Sequence, residues 1–327
     1  MSPSATLFID DSQVQYLCNS LQQKVAGSYY NNTWSTVEND DCSNGWFQYT
    51  FYGTGIHVSA SVAQPGASYS VKIDEGPLET LSGDGSFDSP TLSDGKHTIT
   101  YATGSKGFPS FDYLTVTAGD STALNGQTLA VDDADSSITY SGNWATSPPS
   151  PISFDYSTSL YRDTTHWSSS VGDNIQFQFT GSSVSVFGIA AGIASGGNIT
   201  ASYTLDGNSK ALNIPQGTLD SLPMVELFHA DVQPGLHTLS INITSIQSPR
   251  ALGIDFIAYN ASFNSITSDP TVAAATNPGA LHKSNVGAKV GAVLGALAGV
   301  GVLAGLSILL WRKYAVRRNK SQKFLLP

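Results

Sequence analysis

The sequence predicts an all-β body of two tandem β-sandwiches or jelly rolls, followed by a stalk and one apolar helix. Three observations predict it. A block pattern occurs twice within residues 1–260. Short alternating runs recur between clusters of Gly, Asp, Asn and Pro, the mark of strands separated by turns. From Val290 to Trp311 the chain carries no charge, and about 20 such residues span a bilayer core.

The repeat is read block by block. Asp11-Ser12-x-Val14-x-Tyr16 matches Asp135-Ser136-x-Ile138-x-Tyr140, and Trp34-Ser35 matches Trp167-Ser168. Phe51-x-Gly53 matches Phe179-x-Gly181, and strands ending at Asp74 and Asp206 follow. Next come Gly95-x-His97-Thr98 and Gly235-x-His237-Thr238, then Phe111-Asp112-Tyr113-Leu114 and Ile254-Asp255-Phe256-Ile257. The offset grows from 124 at Asp11/Asp135 to 143 at Asp112/Asp255. Ordered blocks with growing offset mean duplication with loop insertions. The expected domains are 4–118 and 128–260, joined by a polar link. Runs such as 47–51, 97–101 and 175–179 alternate with period two, as half-buried strands do. Residues 261–289 are rich in Ser, Thr and Ala and read as a disordered stalk.

Charge sets the expected topology. All 25 acidic residues lie within 1–269, where only seven basic residues share the chain. An acidic body of this kind argues against nucleic acid as a partner. Six basic residues follow Trp311 within the tail 312–327. The positive-inside rule then places the tail in the cytosol and the N-terminal part outside. The expectation is a single-pass plasma-membrane protein with the lipid bilayer as partner. Gly287, Gly291, Gly295 and Gly299 fall at four-residue spacing, which lets helices approach closely and suggests a homodimer through the helix. Residues 1–25 lack a basic start and a long apolar run, so the expected leader is read as missing from the chain.

Other marks fit a secreted body. Cys18 and Cys42 are expected to form a disulfide, two buried thiols being the alternative. Asn31, Asn198, Asn242 and Asn260 begin N-glycosylation acceptor triplets. No nucleophile elbow, zinc helix motif or phosphate loop occurs, so no enzyme activity and no cofactor are expected. Tyr29, Tyr30, Trp34 and Trp46, with Trp144, Tyr161 and Trp167, are candidate platforms for stacking a ligand. The alternative role, core anchoring, applies most to the repeated Trp34 and Trp167. Asp132, Asp133 and Asp135 are candidate cation ligands; solvated turns are the other reading. Finally, a hairpin turn at Gly104-Ser105-Lys106-Gly107 would set His97 opposite Asp112, and His237 opposite Asp255. Those pairs are expected to lock the last two strands.

The His-Thr strand followed by apolar-Asp-aromatic resembles the last strands of galactose-binding-like β-sandwich domains, a group with many carbohydrate-binding modules. Two such domains, a stalk, a Gly/Ala-rich helix and a basic tail resemble fungal single-pass membrane proteins of tandem design. The resemblance implies a cell-surface body that binds glycans, cell-wall polysaccharide or another surface ligand. A glycosylated spacer that binds nothing is the alternative, and a glycoside hydrolase a more distant one.

Overall fold

Alternation decides which side chains enter the core. In β5 (Phe47–Gly53) Phe47 and Phe51 are buried while Tyr52 is exposed. In β15 (Asn174–Ala190) Ile175, Phe177 and Phe179 are buried, and Gln176 and Gln178 face outward. The computed structural model describes residues 5–24, 29–37, 42–62, 67–104, 109–149, 152, 160–190, 198–214 and 222–271. Residues 1–275 form one compact unit.

The first half contributes eleven strands. They are β1 (Thr6–Asp10), β2 (Gln15–Tyr16), β3 (Ser20–Lys24), β4 (Thr33–Val37), β5, β6 (Gly55–Val62), β7 (Ser68–Ile73), β8 (Glu79–Ser82), β9 (Phe87–Asp88), β10 (Gly95–Thr103) and β11 (Pro109–Thr117). Strands β2-β5-β10-β7-β8 form a five-stranded sheet. Strand β11 pairs with β6 on one side and with β1 and β4 on the other. Phe111 of β11 stacks on Phe47 at 4.2 Å, and Phe47 stacks on Tyr101 at 5.2 Å. These rings bond one sheet to the other, because Phe111 stands in the sheet that faces Phe47 and Tyr101.

The second half repeats the path with β12 (Thr128–Asp132), β13 (Ile138–Ser141), β14 (His166–Ser168), β15, β16 (Ile199–Leu205), β17 (Asn208–Asn213), β18 (Leu222–Ile246) and β19 (Leu252–Ala261). Here β15 and β18 run unbroken where the first half changes sheet, and all the second-half strands belong with β1, β3, β4, β6, β9 and β11 to one 14-stranded sheet. The tandem jelly-roll and galactose-binding-like expectation is therefore corrected. Among the described residues the architecture is all-β with two sheets, and no clearly closed jelly-roll barrel is found. Period-two alternation reports strands; it does not report how sheet edges close.

Two repeated glycines mark the crossing. A Cβ on Gly53 would meet the Thr117 carbonyl oxygen at 2.5 Å, and one on Gly181 would meet that of Asn260 at 2.6 Å. No side chain fits where the backbones pass so closely.

The halves meet through their first strands. β1 pairs antiparallel with β12, placing Leu7 opposite Leu129 and Thr6 opposite Ala130. Leu7 and Leu129 are equivalent positions, each four residues before the buried Asp11 or Asp133. A local twofold axis thus passes between them. Around it Phe8, Tyr30, Tyr113, Tyr161, Phe187 and Phe256 form one buried cluster from both halves. Phe8 stacks on Phe256 at 5.3 Å, and Tyr30 lies 5.4 Å from Phe187. Each such ring contributes about 1.5–3 kcal/mol by burial.

Segments expected to be loose are packed instead. In the link, Leu124 is fully buried, and its N–H donates to the Asn264 carbonyl. At the start of the expected stalk Phe263 and Ile266 are buried, the latter in a 3-10 turn Ile266–Ser268. Average composition over the window hid these few apolar side chains.

Among the described residues no helix is long and apolar enough to cross a membrane. The run 290–311, Gly287, Gly291, Gly295 and Gly299, and the basic tail lie outside the described residues. The expectation of a fungal-type single-pass plasma-membrane protein, anchored in the bilayer and paired through its helix, is corrected accordingly. An apolar run has to fold into a spanning helix to anchor a chain, and the described residues contain none.

Candidate functional site

The structure buries most of the aromatic candidates. Tyr29, Tyr30, Trp46, Tyr161 and Trp167 are all buried, while Trp34 and Trp144 are half-buried. Tyr29 stacks on Trp34 at 5.5 Å, and Tyr140 lies 5.2 Å from Trp144. Of the seven, Tyr161 also lines the groove described below. Trp34 and Trp167 are also not equivalent. Phe111 pairs with Ser35, and its counterpart Ile254 pairs with His166, so the true register runs two residues off the Trp-Ser match.

What fixes that register is a repeated hydrogen-bond knot. Thr33 donates to Asp10 and Asp11, and Thr164 donates to Asp132 and Asp133. Ser35 adds a bond to Asp11, where His166 bonds Asp133 at 2.5 Å. Among the described residues no group of three or more His, Cys, Asp or Glu is arranged to hold a metal ion. Asp135 caps the Ser137 N–H instead. Asp112 and Asp255 are buried and accept the backbone N–H of Tyr30 and Tyr161, respectively.

His97 therefore does not pair with Asp112. Its Nδ1 donates to Asp74 at 2.7 Å and its Nε2 to the Ser93 carbonyl at 2.8 Å. His237 repeats this with Asp206 at 2.6 Å and Gln233 at 2.7 Å. The reason is topological. β10 pairs with β5 and β7, whereas β11 belongs to the other sheet, so His97 and Asp112 never share a hairpin. The partner acids were already in the repeat, at the ends of β7 and β16. Both stand at positive φ, 52° for Asp74 and 50° for Asp206, and Asp206-Gly207 forms the tight turn such geometry favours.

These contacts predict a pH profile. The Asp74 bond raises the pKa of His97. Burial opposes charge on His237, but its bonds to Asp206 and Gln233 outweigh it and raise that pKa too. Histidines held this way stabilise the fold fully below their ordinary value of 6.5, and that gain is lost as pH rises through the raised folded value. Asp133 is pushed up to about 6, chiefly by burial, and burial raises Asp112 and Asp255 as well. Acids of this kind disfavour the fold least when protonated. The His97 bond lowers Asp74; burial opposes charge on Asp206, but its bonds to His237 and the Thr238 N–H outweigh it and lower that pKa too, so both acids act oppositely only below their ordinary 3.8. The melting temperature is expected to rise by on the order of 5 °C from pH 8 to pH 5, then fall in stronger acid. A melting temperature that is flat or falls from pH 8 to pH 5 would sink this account.

Cys18 and Cys42 are joined by a disulfide with Cα atoms 5.8 Å apart. Asn31 and Asn198 are exposed, Asn31 at a positive φ of 50°. Asn242 and Asn260 are half-buried within strands, and Asn260 accepts a bond from Thr128.

The twofold arrangement creates a groove of about 570 Å³. One wall is the outer face of β6, β9 and β11 in the first half, with His57, Asp84, Asp88, Tyr113 and Thr115. The other is the second-half turn Leu160, Tyr161, Arg162 and Asp163. Hydroxyls from Thr54, Ser86, Ser89, Thr91 and Thr117 complete a polar lining. His57 Nδ1 bonds Asp88 at 2.8 Å, and Asp84 accepts the Ser86 N–H. Arg162 donates to Thr6 at 3.2 Å and lies over the Tyr161 ring at 5.5 Å. At the related place in the second half Ser185 bonds His229 at 2.8 Å and Glu226 at 2.9 Å, with Asp231 3.5 Å beyond. Of the groove residues, sequence reading named Tyr161 and missed the rest. Two signals were available: Ile56 and Val58 point His57 outward, and Arg162 is one of few cations in an acidic body.

No protein-family model and no curated protein matches the chain. Several solved structures are similar. A Paenibacillus xanthan lyase shares 13% identity over 78% of this chain and 26% of its own, at TM-score 0.30. A two-domain esterase active on acetylated mannans, crystallised with mannopentaose, shares 13% over 42% of this chain and 36% of its own, at TM-score 0.31. An Arthrobacter globiformis T6 isomalto-dextranase complexed with panose shares 12% over 73% of this chain and 36% of its own, at TM-score 0.30. The chain thus spans about a quarter to a third of these proteins' length. These neighbours are carbohydrate-active enzymes, so the expectation that the chain is not an enzyme is withdrawn. At such TM-scores the likeness assigns it no activity and no sugar, and the glycan partner expected from the sequence stays without support.

Proposed function

We propose that the chain is a two-part recognition module, with domains near 4–118 and 128–260, whose site is the groove between the halves. The ligand it suits is a small molecule carrying an ammonium group. One observation carries this: a single polar groove gathers Asp84, Asp88 and Asp163 against one guanidinium. Pockets of about 300–1,000 Å³ suit small molecules. The body around it is strongly acidic, with 25 acids against seven bases in 1–269, so its field draws cations toward the cleft. Rigid walls also lower the ordering cost of binding, and here the aromatic cluster supports both.

Hexane-1,6-diamine and hexane-1,6-diol make a matched probe pair. Titrated into the full chain and followed by NMR, the diamine is expected to shift the resonances of His57, Tyr113 and Arg162, and the diol to leave them still. Asp88→Asn should weaken the diamine about fivefold, as loss of an exposed charge contact does. Equal response to diol and diamine, or shifts confined to other surfaces, would refute the reading.

A further inference from the structure

We propose that the ligand of this groove is zwitterionic, with its ammonium group toward Asp84 and Asp88 and a carboxylate-like anion on the Arg162 guanidinium. This rests on the groove being the binding site. The argument begins with how Arg162 is held. Its guanidinium has five N–H donors, and among the described residues it makes a single hydrogen bond, to Thr6. Its guanidinium carbon lies over the Tyr161 ring, 5.5 Å from the centroid. Among the described residues every ion pair within 4.0 Å involves a histidine, and Arg162 takes part in none. A planar guanidinium with unused donors suits bidentate recognition of a carboxylate.

The fold does not require this cation. Arg162 sits in a 3-10 turn at φ 53°, and the equivalent turn in the first half holds Asn31 at φ 50°. The same backbone forms with a neutral side chain, so the charge is an addition to the turn. Asp88 is likewise not imposed by the strand, because the related position holds His229 and the Asp88 side chain is 79% exposed. Asp84 and Asp88 come from the first-half wall, and the one cation, Arg162, comes from the second-half wall, where Asp163 is its neighbour in sequence. A purely cationic ligand would leave the guanidinium facing like charge. A purely anionic one would meet three carboxylates. A molecule with both charges answers each wall. The Tyr161 hydroxyl, buried and making no hydrogen bond, belongs to the same wall as Arg162.

Linear ω-amino acids of three to six carbons, with diamines and dicarboxylates of equal length, test this by calorimetric titration of the full chain. The best amino acid is expected to bind about tenfold tighter than the matching diamine, and the dicarboxylates not to bind. Arg162→Asn, a residue the equivalent turn already accepts, should erase the tenfold margin, weakening the amino acid and tightening the diamine. A diamine that binds as tightly as its amino acid, or a margin that survives Arg162→Asn, overturns the zwitterion while leaving the groove standing. Failure of every amine-bearing probe removes the groove reading and this inference with it.

Discussion

Replacing Trp46 by alanine is expected to destabilise the chain by about 3–5 kcal/mol, the range for deleting a large buried aromatic. Trp46 has no exposed surface. Its ring lies 5.4 Å from Phe47, 6.1 Å from Phe111 and 6.2 Å from Tyr101. It therefore fills the space between the sheets where the first half's aromatic column begins. Its indole N–H is buried without a hydrogen-bond partner, so Trp46→Phe should cost much less, about 1–2 kcal/mol, since losing ring volume is partly offset by removing an unsatisfied donor. Urea unfolding of both variants gives the comparison. Equal losses for alanine and phenylalanine would show that the site does not depend on ring packing. Trp34→Ala, at a half-buried position, serves as the milder control.

Removing the disulfide by Cys18→Ala with Cys42→Ala is expected to cost about 3 kcal/mol. The bridge spans 24 residues in sequence, and closing a loop of that size in the unfolded chain gives about this value. The first half depends on it locally. The loop it closes contains β3 and β4, a pair at the end of the large sheet whose strand ladder joins the rest through β11. Hydrogen exchange should quicken in β3 and β4 and stay unchanged in β16 and β17. The second half has no cysteine; there a short backbone bridge between Ala145 and Trp167 holds the corresponding strand. Exchange that quickens across both halves alike would contradict a local staple.

Much of the strand inventory was legible because burial leaves a period-two mark on sequence, as Ile175, Phe177 and Phe179 show. The repeat was legible for the same reason at His97/His237 and Asp74/Asp206, which stay in register in both halves. Their pairing was not, because a Gly-rich turn was read as a hairpin, and the strands it joins lie in different sheets. The Trp match slipped by two residues because conspicuous side chains were aligned in place of Thr33 and Thr164, whose hydroxyls tie the knot. The groove left only isolated local traces, at His57, Tyr161 and Arg162. It exists only because β1 and β12 pair and bring residues 160–163 over the first half's outer face.

The pairing of Leu7 with Leu129 has a further meaning for the assembly history and limits of this body. A contact built from one patch and its own equivalent is self-complementary and saturates at two members. The repeat therefore cannot continue through this face into an array: a third copy would find no strand edge there to join. Each half hides the other's open edge, the feature that otherwise invites strand addition and aggregation. A half expressed alone would present that edge beside Phe8 or Phe256, and would associate with its own kind about a true dyad. The two-part chain reads as such a closed dimer written into a single polypeptide.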